Sequence, residues 1–223
     1  MLKLYLIRHG QTPGNKLSRY IGTTDEPLSD EGREFLKKLS YPMPEELFVS
    51  PLLRCVETAE IFFPGKQLHI IEELSECDFG EFENKNYKEL AGNENYQKWI
   101  DSNGTLPFPG GESREQFIRR SMEGFDRMMS DILKRSEKNT GIQNDTDPQY
   151  LKSNCGTEIP VVAVVHGGTI MAVLSSLTGG EYFDFQVKNG EGYETVLEWI
   201  QGRWKMTSLT KIGCEDSKSE HLQ

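Results

Sequence analysis

The stretch Leu2-Lys3-Leu4-Tyr5-Leu6-Ile7-Arg8-His9-Gly10-Gln11-Thr12 runs through apolar side chains almost without interruption, then stops on a cation, an imidazole and a glycine. Such a run fits a strand of a parallel sheet with helices on both faces, because neither face then meets water. The chain repeats the device at Val161 to Val165, a second apolar run ended by His166-Gly167-Gly168. In open sheets of this kind ligands bind beyond the carboxyl ends of the strands, where both histidines are expected.

Working outward, Ser29 reads as the N-cap of a helix with Phe35, Leu36 and Leu39 at helical spacing, closing before Pro42. A second strand follows near Leu47 to Ser50. Ser50-Pro51 then predicts a hydroxyl cap with proline at the first helical position, opening a helix to Ile61 that carries Arg54. His69 to Leu74 suits a strand or extended segment, and Tyr87 to Trp99 suits short aromatic-rich helices. Pro107, Pro109, Gly110 and Gly111 force a break. Ser113 and Gln116 form a capping box for a long helix to about Ser136. A polar, aperiodic loop is expected over 138–159, a helix from Thr169 to about Leu177, and a hairpin of Thr195 to Ile200 with Trp204 to Leu209 around Gln201-Gly202.

The alternation predicts a three-layer α/β/α sandwich with a mainly parallel open sheet. A single domain over 1–212, with a loop insertion at about 138–159, and a polar tail over 213–223 follow from the same reading.

The 223 residues carry 25 Lys plus Arg against 35 Asp plus Glu, a net charge of −10, which argues against nucleic acid or anionic membranes as partners. An anionic substrate must therefore meet a local cluster of cations. No run approaches the ~18 apolar residues of a membrane helix, and Leu2 to Ile7 lacks a signal-peptide layout, so a cytoplasmic location is expected. Cys55, Cys77, Cys155 and Cys214 lie too far apart for zinc-ligand spacing and read as reduced thiols. No metal site and no cofactor are expected.

A phosphate monoester needs cations around its nonbridging oxygens, an in-line nucleophile and an acid for the departing alkoxide. His9 offers a nucleophile, which nearby guanidinium groups would help to keep neutral. Arg8 and Arg54 offer planar forks matched to phosphate. His166 precedes a helix start whose amides also favour an anion. Glu76, Asp78, Glu81 and Glu83 compete as the proton carrier. Each signal alone has an ordinary structural reading: a hydrogen-bonded histidine, a surface arginine, a solvated acidic face.

Together with four further motifs, the segment Leu6-Ile7-Arg8-His9-Gly10-Gln11-Thr12, continuing to Asn15, resembles the histidine phosphatase (phosphoglycerate-mutase-like) superfamily. The others are Ser50-Pro51-Leu52-Leu53-Arg54 with Thr58-Ala59, Leu74 to Glu83, Pro109-Gly110-Gly111-Glu112-Ser113, and Val164-Val165-His166-Gly167-Gly168-Thr169. They follow the family order from Leu2 to about Leu177. The resemblance implies His9 as the phosphorylated nucleophile, with Arg8, Arg54 and His166 as the phosphate pocket and Glu76 as proton donor and acceptor. Gln11, Thr12, Asn15, Ile21, Gly22 and Gly167 would bind substrate. Asn84 stands where the family often has glycine, and tolerates the same left-handed turn.

The segment Glu76-Cys77-Asp78-Phe79-Gly80 is more similar to the phosphatase branch than to the mutases, and Tyr20 to Ser29 is similar to alpha-ribazole phosphatases of cobalamin biosynthesis. The resemblance thus implies a metal-independent phosphomonoesterase acting on a small phosphorylated metabolite, alpha-ribazole 5′-phosphate among the candidates. A phosphoglycerate mutase and a catalytically silent phosphate-binding module are the rival readings; a homodimer is the other partner to consider. Tyr20, Phe79, Phe82, Tyr87, Trp99 and Phe108 would either stack on a ring-bearing substrate or form the core of a lid. Cys55 and Cys77 adjoin Arg54 and Glu76, which raises redox control against the plainer reading of two buried apolar side chains.

Overall fold

The computed structural model describes residues 1–140, 159–200 and 203–213. Its strands are β1 (Leu2–Arg8), β2 (Glu46–Val49), β3 (Leu68–Ile70), β4 (Ile159–Val165), β5 (Gly192–Ile200) and β6 (Arg203–Ile212). They form one sheet in the order β3-β2-β4-β1-β5-β6. The first four strands of that order run parallel, and β5 and β6 close one edge antiparallel.

The central strands bury both faces, as their continuous apolar runs require. Leu2, Leu4 and Leu6 of β1, Phe48 of β2, and Val161, Ala163 and Val165 of β4 face one side. Tyr5, Ile7, Leu47, Val49, Val162 and Val164 face the other, since successive side chains of a strand alternate. The first side is covered by α5 (Arg114–Thr140) through Phe125, Met128, Met129 and Ile132, and by α6 (Gly167–Thr178) through Ile170, Val173 and Leu174. The second is covered by Cys55 and Ala59 of α3 (Leu53–Phe62). Those three layers make the expected α/β/α sandwich with a mainly parallel sheet. The shorter helices are α1 (Pro13–Lys16), α2 (Asp30–Leu36) and α4 (Glu94–Asp101).

Two helix starts behave as the caps dictate. Ser29 Oγ accepts from Gly32 N at 3.0 Å to open α2, and the Ser113/Gln116 box closes reciprocally at 2.8 and 3.1 Å to open α5. Helix α2 ends at Leu36, short of Leu39, and α5 runs to Thr140, beyond Ser136. Ser50-Pro51 does not start α3. The N-cap is Leu52, without a side-chain bond; the Ser50 hydroxyl meets His166 at 2.7 Å and takes only a long 3.5 Å contact from the Leu52 amide. The segment expected to be extended from His69 to Leu74 breaks after Ile70 into a 3-10 turn, Glu72–Leu74. Asn84 takes a φ of 54°, the left-handed angle expected of it. The 138–159 loop between Thr140 and Ile159, the hairpin turn Gln201-Gly202 and the tail beyond Gly213 lie outside the described residues. Among the described residues no helix is long and apolar enough to cross a membrane.

Phe48 of β2 is fully buried in the core cluster that α5 and α6 cover. Its replacement, Phe48→Ala, is expected to cost about 3–5 kcal/mol by urea denaturation. Lys205→Ala, on the exposed face of β6, is expected to stay within about 0.5 kcal/mol.

Candidate active site

Strands β1 and β4 end side by side, with Arg8 paired to Val165. The next residue of each is a histidine, and the two rings lie edge to face with centroids 5.1 Å apart. His9 Nδ1 lies 2.7 Å from the Gly10 carbonyl oxygen. A carbonyl can only accept, so Nδ1 carries the proton and Nε2 keeps its lone pair. His166 is held in the opposite tautomer. Its Nδ1 accepts from Arg54 Nε at 3.3 Å, which leaves Nε2–H to donate to Ser50 Oγ at 2.7 Å.

Both rings are almost fully buried. Burial holds their pKa values well below the usual histidine value, and Arg54 is the next cause for each. Arg8 adds to the effect on both. Both imidazoles are therefore neutral, and His9 presents an unprotonated ring nitrogen beside two guanidinium groups.

Arg54 reaches this position because the turn after β2 delivers it into the interior, where it is fully buried. Its Nη1 donates to the Thr24 carbonyl at 2.8 Å, and its Nη2 to the Gly22 and Ile21 carbonyls at 2.9 and 3.3 Å. Arg8 donates from Nη1 to the Val187 carbonyl at 2.7 Å. Its Nε is buried and has no partner among the described residues, so this donor is available to an incoming anion.

The four competing carboxylates separate cleanly. Glu83 accepts from the amides of Gly22, Thr23 and Phe79 at 2.9–3.2 Å and from the Thr24 hydroxyl at 2.7 Å, tying two loops together. Asp78 accepts from Gly80 N at 2.8 Å, and Glu81 from Asn95 Nδ2 at 3.0 Å. Glu76 alone of the four shares a cavity with Arg8. Its Oε1 accepts from Cys77 N at 2.9 Å and its Oε2 from Gly168 N at 3.2 Å. Protein packed around the carboxyl raises its pKa above the usual carboxylate value, against the lowering effect of those two amides and of Arg54 and Arg8.

A cavity of about 370 Å³ opens beside Arg8 and Glu76; His9, Arg54 and His166 do not themselves line it. Arg8, Glu76, Gly167 and Gly168 line its polar part, and Tyr20, Phe79, Trp99 and Phe108 line an aromatic wall. The rings of that wall also pack on one another, Trp99 over Phe108 at 4.9 Å and Phe79 against Phe108 at 5.0 Å. They are lid core and cavity lining at once. Phe82 is buried beneath them, and Tyr87 is 59% exposed and takes no part.

The remaining residues singled out in the sequence occupy other places. Thr12 is fully buried and its hydroxyl caps α1 by accepting from Asn15 N at 3.1 Å. Asn15 Oδ1 accepts from Asn189 Nδ2 at 3.0 Å, and Gln11 lines a neighbouring groove with Arg8. Ile21 and Gly22 meet Arg54 through their carbonyls. Cys55 is buried with its thiol pushed up to about 12 by burial, and burial likewise raises Cys77; a thiol kept protonated is a poor target for oxidation. Among the described residues no group of histidine, cysteine and carboxylate side chains is placed to hold a metal ion.

Sequence reading missed three residues of the constellation. Ser50 was assigned to a helix cap, although its place at a strand end beside the arginine turn was a usable sign. Asn189, which donates to the carbonyls of His9 and Gly10 at 3.1 and 3.3 Å, sits in a loop, and Tyr182, which donates to the Gly168 carbonyl at 3.3 Å, opens a short 3-10 turn, Tyr182–Phe185; neither place carries such a sign.

Two neutral histidines, a fully buried arginine, a partly buried one and a carboxyl with a raised pKa meet beyond the ends of the parallel strands. Residues 4–140 match the model of the histidine phosphatase superfamily (branch 1). The chain belongs to this superfamily. It is 30% identical over 143 residues to phosphoserine phosphatase 1 of Hydrogenobacter thermophilus, a span covering 60% of this chain and 66% of that protein. It is 31% identical over 128 residues to the adenosylcobalamin/alpha-ribazole phosphatase of Salmonella typhimurium, covering 53% of this chain and 63% of that protein. The fold matches the crystal structure of the alpha-ribazole phosphatase from Shigella flexneri with a TM-score of 0.66 at 24% identity, covering 93% and 96% of the two chains.

A Cβ on Gly168 would fall 2.2 Å from Glu76 Oε1. Gly168→Ala in this superfamily member is therefore expected to displace the carboxyl and lower turnover of an alkyl phosphate ester by about tenfold or more, within the range that general acid–base catalysis spans. Unchanged turnover in a folded variant would contradict this placement of Glu76.

Proposed function

We propose that this histidine phosphatase hydrolyses a small phosphate monoester through a phosphohistidine on His9, without a metal. The observation that carries the reading is the His9 tautomer. With Nδ1–H committed to the Gly10 carbonyl and burial keeping the ring neutral, Nε2 is a ready nucleophile at neutral and mildly acidic pH.

In the first step the Nε2–phosphorus bond forms as the ester phosphorus–oxygen bond breaks. The electron pair leaves with the ester oxygen, which takes the proton of Glu76. Arg8, Arg54 and His166 hold the charge spread over the transferring group. In the second step water attacks phosphorus and gives its proton to the Glu76 carboxylate, the pair returns to Nε2, and inorganic phosphate departs. The desolvation that raises the pKa of Glu76 favours the neutral acid that opens the cycle.

For the substrate, the aromatic wall of Tyr20, Phe79, Trp99 and Phe108 supports a phosphate ester with a planar ring in its alcohol part, alpha-ribazole 5′-phosphate being one such ester. One observation favours a second, smaller class. Arg114 also lines the cavity and makes no carboxylate ion pair among the described residues, a position suited to a carboxylate such as that of phosphoserine.

Phosphate release from a panel of ring-bearing esters, phosphoserine, phosphoglycerates and sugar phosphates separates these classes, and a bisphosphate requirement with phosphoglycerate isomerisation would instead mark a mutase. His9→Ala is expected to abolish both turnover and the acid-labile phosphoprotein, and EDTA to change neither. Equal rates for wild type and His9→Ala would end the phosphatase reading.

The pH dependence has a defined sign. His9 stays neutral well below its ordinary value, so activity persists into acid. Glu76 must hold its proton in the first step, so kcat/KM for an alkyl phosphate is expected to fall as pH rises through its raised pKa. Glu76→Gln is expected to remove that alkaline limb; a profile unchanged in the variant would exclude Glu76 as the acid.

A further inference from the structure

Glu76 lies in an irregular segment between two 3-10 turns, Glu72–Leu74 and Gly80–Phe82. Nothing in such a segment holds a backbone still by itself, yet an acid must be placed within a fraction of an ångström to transfer a proton. The restraint comes from α5. Arg120 Nη1 donates to the carbonyls of Glu73 and Ser75, both at 2.9 Å, and Nη2 donates to the carbonyl of Glu76 itself at 3.0 Å.

The remaining donors meet Glu112 as a fork, Nε to Oε1 at 2.9 Å and Nη2 to Oε2 at 2.6 Å. All five N–H groups of the guanidinium are thereby used. Glu112 Oε2 in turn accepts from Asp78 N at 3.0 Å, and Glu112 N donates to the Asp78 carbonyl at 2.9 Å. The pair thus grips the chain on both sides of Glu76. Gly124, one turn further along α5, lets the helix approach: a Cβ there would fall 2.9 Å from Leu74 Cδ2.

We propose that Arg120, locked by Glu112, is a positioning residue that fixes the backbone of Glu76 so that its carboxyl meets the ester oxygen. The inference rests on the reading of Glu76 as proton donor. Arg120 does not line the cavity, and its hydrogen bonds go to the segment that carries Glu76 and to Glu112. A lysine offers one point of charge where three carbonyls and a bidentate carboxylate are served, so Arg120→Lys does not restore the grip.

The test exploits the leaving group. p-Nitrophenolate departs without a proton, whereas an alkoxide does not. Single-turnover phosphorylation of His9 in the full-length enzyme is measured with p-nitrophenyl phosphate and with an alkyl phosphate, for wild type, Glu76→Gln, Arg120→Met, Arg120→Lys and Glu112→Gln. The positioning variants are expected to lose about tenfold or more with the alkyl ester and less than about threefold with p-nitrophenyl phosphate, in the same pattern as Glu76→Gln. Their alkaline limb should also move.

An equal loss with both esters overturns the proposal and assigns the pair a merely structural role. Leaving-group dependence in Glu76→Gln but in none of the others overturns the positioning role and leaves the proton donor in place. Its absence from Glu76→Gln overturns both. Should Arg120→Met fail to fold because Glu112 is left unpaired, Glu112→Gln, which keeps a hydrogen-bonding partner for the guanidinium, gives the decision.

Discussion

The buried guanidinium of Arg54 is the constraint on which the rest of the site depends. A cation removed from water costs several kcal/mol unless its donors are met, and here they are met by an imidazole nitrogen and by three backbone carbonyls of one loop. That loop must therefore be rigid, and Glu83 makes it so by collecting the amides and hydroxyl of Gly22 to Thr24. The same positive charge adds to burial in keeping protons off both histidines. Satisfying one arginine thus shapes a loop, selects a tautomer and prepares a nucleophile.

The protonation states follow from a division of environment. His9 and His166 are buried next to cations, and both effects favour the neutral ring. Glu76 is surrounded by protein but opens on the cavity, and desolvation outweighs its amide and arginine neighbours. The two environments thus push in opposite directions, favouring the unprotonated ring of His9 and the protonated form of Glu76.

Much of this was legible in the sequence because the deciding features are local. A continuous apolar run names a strand buried on both faces, and the residue after it must lie at the strand's end; His9 and His166 were placed by that rule alone. Ser29 and Ser113 capped their helices because a hydroxyl three residues before a free amide needs no distant partner. The failures are tertiary. Ser50 looked like a cap and became the partner of a histidine 116 positions away in sequence. Nothing local separated Glu76 from Asp78, Glu81 and Glu83, since their fates turn on which loop amides face each carboxylate. Nor does anything local mark Arg120, whose partners all lie outside its own helix.

The two imidazoles are brought together by the sheet rather than by their own packing. Neighbouring strands lie about 4.8 Å apart wherever peptide groups bond across them, and the rings that continue two such strands in matched register are 5.1 Å apart. Their separation is in effect a main-chain constant. Core substitutions that loosen side chains on either face leave it untouched, whereas a single inserted residue in either strand would turn one histidine to the opposite face. The site is therefore tolerant of changes in composition and intolerant of changes in length, and variation that preserves it has to be sought in the loops.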